Sequence, residues 1–395
     1  MDLQTFQLLL SEEGQKALAE AMALEPTEEL FLAHYEKLRK RHPSALAKAA
    51  LEMTLLRIKA RKKFSTEDDM YFDREALEQA SGEIPANHRA RRLAPYGVIA
   101  DLCCGLGGDA LAFARMGLTV HAVESDPIRA AMTRANAIAT GLQDRIHVHV
   151  ADATTLLLPE VKAAFADPSR RSGGNRHLDP EDYTPSLSKI RGRFPSGFPL
   201  SVKIAPGVAP NDIADLDCEI EFVSLEGEMK ECVLWFGPLK STSPRATLLP
   251  SGATLIADEM LPLPPVTNIG QYVFDPDPAI VRAGLTAQLA LELGLSPLDF
   301  KVALLTGTEL IDSLFLTPFR VEWSARFHLG KLREHLRAHR VGSITPIKRG
   351  SKIDSDEVLK KLKLDGDEHR TIIFTRLQGE ESMIVGEKIC VNDGN

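Results

Sequence analysis

Val98-Ile99-Ala100-Asp101-Leu102-Cys103-Cys104-Gly105-Leu106-Gly107-Gly108-Asp109 is the stretch that decides the fold. An apolar run closes on Asp101, a glycine-rich turn follows, and a helical pattern opens at Ala110-Leu111-Ala112-Phe113-Ala114-Arg115. A strand feeding a tight glycine turn and a helix N-terminus is how a doubly wound sheet holds a nucleotide-like ligand. Working outward, Leu118 to Glu124 predicts a second strand that ends in an acid 23 residues after Asp101, where a ribose diol would donate to it. Arg145 to Val150 predicts a third strand, followed by Ala151-Asp152-Ala153, and Ala163 to Ala166 a fourth, followed by Asp167-Pro168-Ser169-Arg170-Arg171. A dehydrogenase loop would read Gly-x-Gly-x-x-Gly, and Cys103 stands where its first glycine should be. A Rossmann dehydrogenase or another nucleotide-binding domain is the competing reading.

Four strands that each end in a carboxylate resemble the class I S-adenosylmethionine-dependent methyltransferases. The resemblance implies an α/β, Rossmann-like core of seven strands. Strand five is Leu200 to Ile204, six is Cys218 to Ser224, and seven is Glu231 to Phe236, with Glu226-Gly227-Glu228 as the turn. It also implies S-adenosyl-L-methionine as cofactor. By this resemblance Asp101 orients the cofactor's ammonium. Cys103, Gly105, Gly107 and Gly108 form the loop that lets the backbone pass close to methionine and ribose. Glu124, with Ser125, takes the ribose hydroxyls, and Asp152 and Ala153 meet the adenine. Each acid taken alone also fits a helix cap.

The piece Met70-Tyr71-Phe72-Asp73-Arg74-Glu75-Ala76-Leu77-Glu78-Gln79-Ala80 is similar to the segment that trimethylguanosine synthases place ahead of their glycine loop. That likeness implies a cover over the methionine end with Phe72 against the cofactor, and it puts Asp109 where those enzymes keep an Asn. Asp167-Pro168-Ser169-Arg170 falls where the fold keeps its catalytic tetrapeptide, in which nucleobase amino methyltransferases carry Asp or Asn, two prolines and an aromatic. Here serine and arginine replace the second proline and the aromatic. The candidate catalytic residues are Asp167, Pro168 and Arg170, and Arg171 is a candidate phosphate or base contact. The outline also resembles the RNA 5-methyluridine enzymes. Those need a nucleophilic cysteine after strand five, and Lys203-Ile204-Ala205-Pro206-Gly207 has none. Lys203 is read as a substrate contact, with a salt bridge to a neighbouring strand's acid as the alternative. Ser172-Gly173-Gly174-Asn175-Arg176 is read as a loop that orders on substrate.

The 395 residues carry a net charge of −8 and are 44% apolar, which fits a globular chain of several domains. No apolar run is long enough for a membrane span. The start Met-Asp-Leu-Gln-Thr-Phe lacks the basic opening of a signal peptide. The five cysteines, at 103, 104, 218, 232 and 390, show no metal-ligand spacing and are read as reduced, in a cytoplasmic protein. Charge is unevenly placed. Residues 37–63 hold ten Lys or Arg against Glu52, residues 326–352 hold eight against Glu334, and residues 212–231 hold eight acids against Lys230. Basic stretches flanking such a core point to RNA, with Arg61, Lys62, Lys63, Arg333 and Arg337 as candidate contacts. His88-Arg89-Ala90-Arg91-Arg92 reads as an RNA contact or a solvated helix end.

Four domains are expected: a helical region with the covering segment (1–95), the methyltransferase core (96–240), a small ferredoxin-like α+β piece (241–320) and a tail (321–395). A Ser/Pro-rich linker, Pro238 to Ser251, follows the core, and a helix runs from Pro278 to Leu293. The tail resembles the THUMP-like domain of a group of uncharacterised methyltransferases with this same order of parts. True THUMP domains bind RNA. The combined expectation is N-methylation of a base in structured RNA (tRNA or rRNA). A protein or small-molecule acceptor, or cofactor binding with little catalysis, are the alternatives.

Overall fold

The computed structural model describes residues 1–65, 69–172, 175–242, 244–257, 259 and 261–389, which form two compact units. The first is Met1–Glu219 with Glu231–Ser241, and the second is Ile220–Lys230 with Thr242–Asn395. Among the described residues no helix is long and apolar enough to cross a membrane.

The first unit opens with helices α1 (Leu3–Leu10), α2 (Glu12–Met22), α3 (Phe31–Leu38) and α4 (Ser44–Ala60). Pro26-Thr27-Glu28-Glu29 forms a turn, closed by Leu30 N–H donating to Thr27 Oγ1, and α3 begins at Phe31. Helix α4, within the basic stretch 37–63, is buried on almost every side, from Leu46 through Ala60. Its alanines and leucines let α1, α2 and α3 pack around it. Next come α5 (Arg74–Gln79) and α6 (Glu83–Leu93).

Five parallel strands follow: β1 (Val98–Leu102), β2 (Thr119–Glu124), β3 (Ile146–Val150), β4 (Ala163–Ala166) and β5 (Leu200–Ile204). They lie in the order β5-β4-β1-β2-β3. Helix α7 (Gly108–Arg115) joins β1 to β2 and α8 (Pro127–Ala139) joins β2 to β3. The register pairs Asp101 with Ala122 and Phe165, and Leu102 with Val123 and Ala166, so the carboxyl ends of β1, β2 and β4 are level. A hairpin of β6 (Glu219–Leu225) and β7 (Glu228–Phe236) turns at Glu226 and Gly227, at φ 53° and 76°, and β7 pairs antiparallel with β5. These seven strands are those expected.

In the second unit, the expected linker 238–251 is replaced in part by a strand. β8 (Arg245–Leu249) pairs parallel with β6, and β9 (Ala253–Ile256) antiparallel with β8. Its Ala-Thr-Leu-Leu run is apolar and β-branched enough to extend a sheet. The expected helix over 278–293 breaks at Gly284, φ 73°, into Pro278–Arg282 and Thr286–Leu293. The remaining strands are β10 (Tyr272–Pro276), β11 (Ser296–Asp299), β12 (Val302–Gly307), β13 (Leu316–Arg326), β14 (Val341–Lys348), β15 (Glu368–Leu377) and β16 (Glu380–Lys388). They form one sheet in the order β11-β12-β10-β13-β16-β15-β14. The expected division at 320/321 is therefore corrected: it falls inside β13, and strands from both sides of it share this sheet. The tail runs strand, helix, strand, helix, strand, strand, with helices Leu329–Ala338 and Ser355–Leu362 packing Leu332, Leu336 and Leu362 onto Phe374, Met383 and Val385.

Arg89 holds the first unit together from inside. It is fully buried, and its guanidinium donates to Asp109 Oδ1 through Nε (3.0 Å) and Nη2 (2.5 Å), to Glu231 through Nη1, and lies over the Phe165 ring. Arg92, one turn on, pairs with both oxygens of Glu219 and stacks over Trp235 at 4.4 Å. The reading of 88–92 as an RNA contact or solvated end is thus corrected for these two arginines, because helical period turns both of them inward. Arg89→Ala leaves two buried carboxylates without their cation. Urea denaturation should show a loss of about 3–5 kcal/mol, with only partial recovery in Arg89→Lys, whose ammonium lacks the fork geometry.

Candidate cofactor and acceptor site

The level carboxyl ends of β1, β2 and β4 open into a cavity of about 370 Å³. Asp101, Cys103, Gly105, Gly108, Asp109, Glu124, Ser125, Asp152 and Ala153 line it, and so do Asp167, Pro168 and Arg170. The turn is built by backbone geometry. Cys103, Gly105 and Gly107 stand at φ 65°, 59° and 82°. A Cβ at Gly107 would lie 2.8 Å from Thr133 Cγ2, so this residue seats the turn on α8 rather than facing the cavity. Cys103 takes a left-handed conformation without being glycine, a strain that marks functional turns.

Asp101 is 1% exposed, and neither of its carboxylate oxygens has a hydrogen-bond partner. Burial, and then the neighbouring charges of Asp109 and Asp167, push its carboxyl well above the ordinary carboxylate range. An orphaned buried carboxyl on the cavity wall is a ready acceptor for a ligand ammonium. Glu124 accepts from the backbone N–H of Gly105 and Asp126, both at 2.9 Å, which fixes its carboxylate beside the turn. Asp152 is exposed, and the hydrogen bonds from Thr154 hold its carboxyl below the usual value. Asp109 also faces the cavity, but its Oδ1 is taken by Arg89.

One wall is the segment expected to cover the cofactor: Ala76, Gln79, Ala80 and Ser81 line the cavity. Lys63 holds this wall by donating to the carbonyls of Leu77 (2.7 Å), Glu78 (3.0 Å) and Ala80 (2.9 Å) at the end of α5. Upstream, the buried Asn136 of α8 donates to the Tyr71 and Leu106 carbonyls and accepts from Tyr71 N–H, tying the segment to the glycine turn. Phe72 corrects the expectation. It is buried against Phe64, with its N–H on Met53 Sδ, and does not line the cavity.

The opposite corner holds Asp167. Lys203 on β5 donates to its Oδ2 and, at 2.8 Å, to Ser81 Oγ. Lys203 is not a lining residue, so the substrate-contact reading gives way to the salt bridge across adjacent strands. Ser169 and Thr184 exchange backbone hydrogen bonds at 3.1 and 3.0 Å. This places Pro185 next to Pro168, and Thr184 and Pro185 join the lining. Tyr183 braces the excursion, accepting from Ala205 N–H and donating to the Leu178 carbonyl. No aromatic ring stands among the described lining residues.

Of the basic candidates, Arg61, Lys62 and Arg337 are exposed. Lys63 caps α5, Arg333 donates to the Lys361 carbonyl at 2.6 Å, and Arg57 is buried with Nε on the Met70 carbonyl. The phosphate-contact reading of Lys63 is therefore corrected, since its ammonium is consumed by backbone carbonyls. The Arg171 side chain and residues 173–174 of the expected loop lie outside the described residues, and on either side of them the backbone of 171–172 pairs antiparallel with that of 175–176. Of the cysteines, 103, 104, 218 and 232 are free thiols, and Cys390 lies outside the described residues. The sequence reading passed over Ser81, Arg129, Asn136, Tyr183 and Pro185. Only Pro185 left a signal, as a proline closing a loop back toward the catalytic corner.

Sequence profiles of three families match the chain: a domain of unknown function over residues 2–60, RNA cap guanine-N2 methyltransferase over 96–183 and THUMP domain-like over 316–388. Two relatives, uncharacterised S-adenosylmethionine-dependent methyltransferases from Mycobacterium tuberculosis strains CDC 1551 / Oshkosh and ATCC 25618 / H37Rv, are each 32% identical over 356 residues, covering 86% of this chain and 96% of theirs. A crystal structure assigned as a methyltransferase from Porphyromonas gingivalis W83 superposes with a TM-score of 0.72 at 20% identity, covering 92% of this chain and all of that one.

Asp101 holds its proton more tightly in the folded chain than in the unfolded one. Its ionisation therefore costs stability as pH rises from the usual carboxylate range toward its raised value. A bound ammonium favours the ionised form. S-adenosylhomocysteine affinity should thus increase as pH rises above the ordinary carboxylate range, with proton release on binding. Calorimetry in two buffers of different ionisation enthalpy measures that release, and Asp101→Asn should abolish it.

Proposed function

This chain belongs to the S-adenosylmethionine-dependent methyltransferases, and from that premise we propose that it methylates a nitrogen on a base of structured RNA, with tRNA and rRNA as the acceptors to test first. The observation that carries this reading is the Asp167 corner. Lys203 engages one carboxylate oxygen, and the other is left at the cavity wall as an acceptor for an N–H group.

The lining suits the cofactor. Asp101 would take its ammonium, Glu124 its ribose hydroxyls and Asp152 its adenine amine. Once bound, it supplies a methyl group activated as a sulfonium for in-line displacement. The protein's part is position and electrostatics. Asp167 accepts a hydrogen bond from the acceptor N–H, which aims the nitrogen's lone pair, and takes up the proton that nitrogen releases on methylation. Pro168 and Pro185 form an apolar ledge beside it, flat enough for a base. Arg170 brings a guanidinium that can stack on a ring or meet a phosphate. The match over 96–183 to a guanine-N2 family and the THUMP-like match support an RNA amine as acceptor. The missing aromatic favours the second reading, a smaller acceptor.

The test is transfer of label from tritiated S-adenosylmethionine into the small-RNA fraction of cells lacking the gene, followed by mass spectrometry of the nucleosides. Label that survives nuclease unchanged would end the RNA reading. Asp167→Ala should slow transfer about 100- to 1000-fold while S-adenosylhomocysteine affinity holds. Glu124→Ala should weaken that affinity at least about tenfold.

RNA binding should weaken steeply with salt. Reversing Arg61, Lys62 or Arg337 to Glu should shallow the log–log slope by about one for each phosphate no longer neutralised. A slope unchanged in all three variants would leave these residues as solvated surface.

A further inference from the structure

Lys203 stands behind the corner, 5% exposed, near the carboxyl end of a fully buried strand. Its two partners belong to different parts of the site. Ser81 ends the wall built by α5, and Asp167 is the acceptor-binding group. The wall is anchored independently, by Lys63 at the end of α5 and by Asn136 through Tyr71. Lys203 is the link that runs from that wall across the cavity floor to the corner.

We propose that Lys203 is a positioning residue that couples the cofactor-covering wall to Asp167, so that the acceptor-binding carboxylate takes its working rotamer only when Ser81 is seated. The proposal rests on the reading of Asp167 given above. The electrostatics supply the reason. Asp167 shares its surroundings with the carboxyls of Asp101 and Asp109, whose charges repel its own. Alone, it would turn away from them. The ammonium holds one oxygen of Asp167 by a charge-assisted bond, which fixes the direction of the other. An ammonium has three protons, and Ser81 Oγ occupies a second. Displacing the wall strips that partner, leaves the ammonium free to swing on its stem, and releases the carboxylate. Cofactor binding, which packs against the wall, and acceptor binding, which needs Asp167 aimed, thereby become one equilibrium.

A double-substitution cycle on the full chain tests this. Lys203→Met should lower kcat about 100-fold and leave the KM for S-adenosylmethionine within about threefold, since Lys203 does not line the cavity. Lys203→Arg should restore kcat to within about tenfold. Ser81→Ala should cost about three- to tenfold, and the double variant should be no slower than Lys203→Met, as expected of a shared link. Additive losses, a KM that rises as kcat falls, or no rescue by Arg would each overturn the proposal.

Hydrogen exchange needs no acceptor and separates this failure from that of the RNA reading. In the wild type, S-adenosylhomocysteine should protect amides of 76–83 and 167–170 together. In Ser81→Ala, protection should persist over 76–83 and vanish over 167–170. Protection of both segments in Ser81→Ala sinks the link even if RNA is methylated. Loss at 167–170 sustains it even if RNA proves the wrong acceptor.

Discussion

The Arg89 guanidinium, with no exposure to water, is the constraint on which the first unit turns. A buried cation is costly to desolvate and is tolerated only when its donors are satisfied. Here the satisfaction comes from α7 through Asp109 and from β7 through Glu231, so a helix that precedes the sheet is fixed to both the glycine turn and the antiparallel strand beside β5. The same residue explains why Asp109, which lines the cavity, has its Oδ1 committed to the protein. Burial raises the Asp109 carboxyl while Arg89, and then Lys203, pull it back.

Charges therefore alternate through the interior: Glu231, Arg89, Asp109, Lys203, Asp167. Asp101 feels the charges of Asp109 and Asp167, with Arg89 acting against them, and no cation is hydrogen-bonded to it. That imbalance is local and purposeful in position. Among the described buried acids, the one left without a hydrogen bond is the one a cationic ligand group would complete. Affinity for an ammonium and rigidity of the frame are thus assigned to neighbouring carboxylates by their partners rather than by their residue type.

Much of this was legible in the sequence. Asp101, Glu124 and Asp167 were found because a parallel strand buried on both faces reads as a short apolar run, and its end is marked by the first charge; Asp152 follows a half-exposed strand of alternating Val and His. The hairpin was legible from Glu226-Gly227. Orientation was not. A count of basic residues treats Arg57, Lys63, Arg89 and Arg92 like Arg61 and Lys62, although the first four point into protein. Helical period offered a partial signal, since Arg89 and Arg92 share a face with Pro85, Ala86 and Leu93, which are apolar. Phe72 was misplaced for the reverse reason: an aromatic before the loop fits a lid and a core equally, and only the tertiary neighbours Phe64 and Met53 decide. The strand at 245–249 was missed because Ser and Pro around it read as a linker, and its pairing with β6 is a non-local fact.

Asn136 carries one more implication. Its three bonds join the segment at Tyr71 to the turn at Leu106, and a continuous apolar cluster runs from Phe6 and Leu46 to Phe113 and Phe165. The recognised sequence families divide this stretch at 60 and 96, yet no physical seam exists there. The two portions share one interior, and exchanging the helical one for another would open it to water.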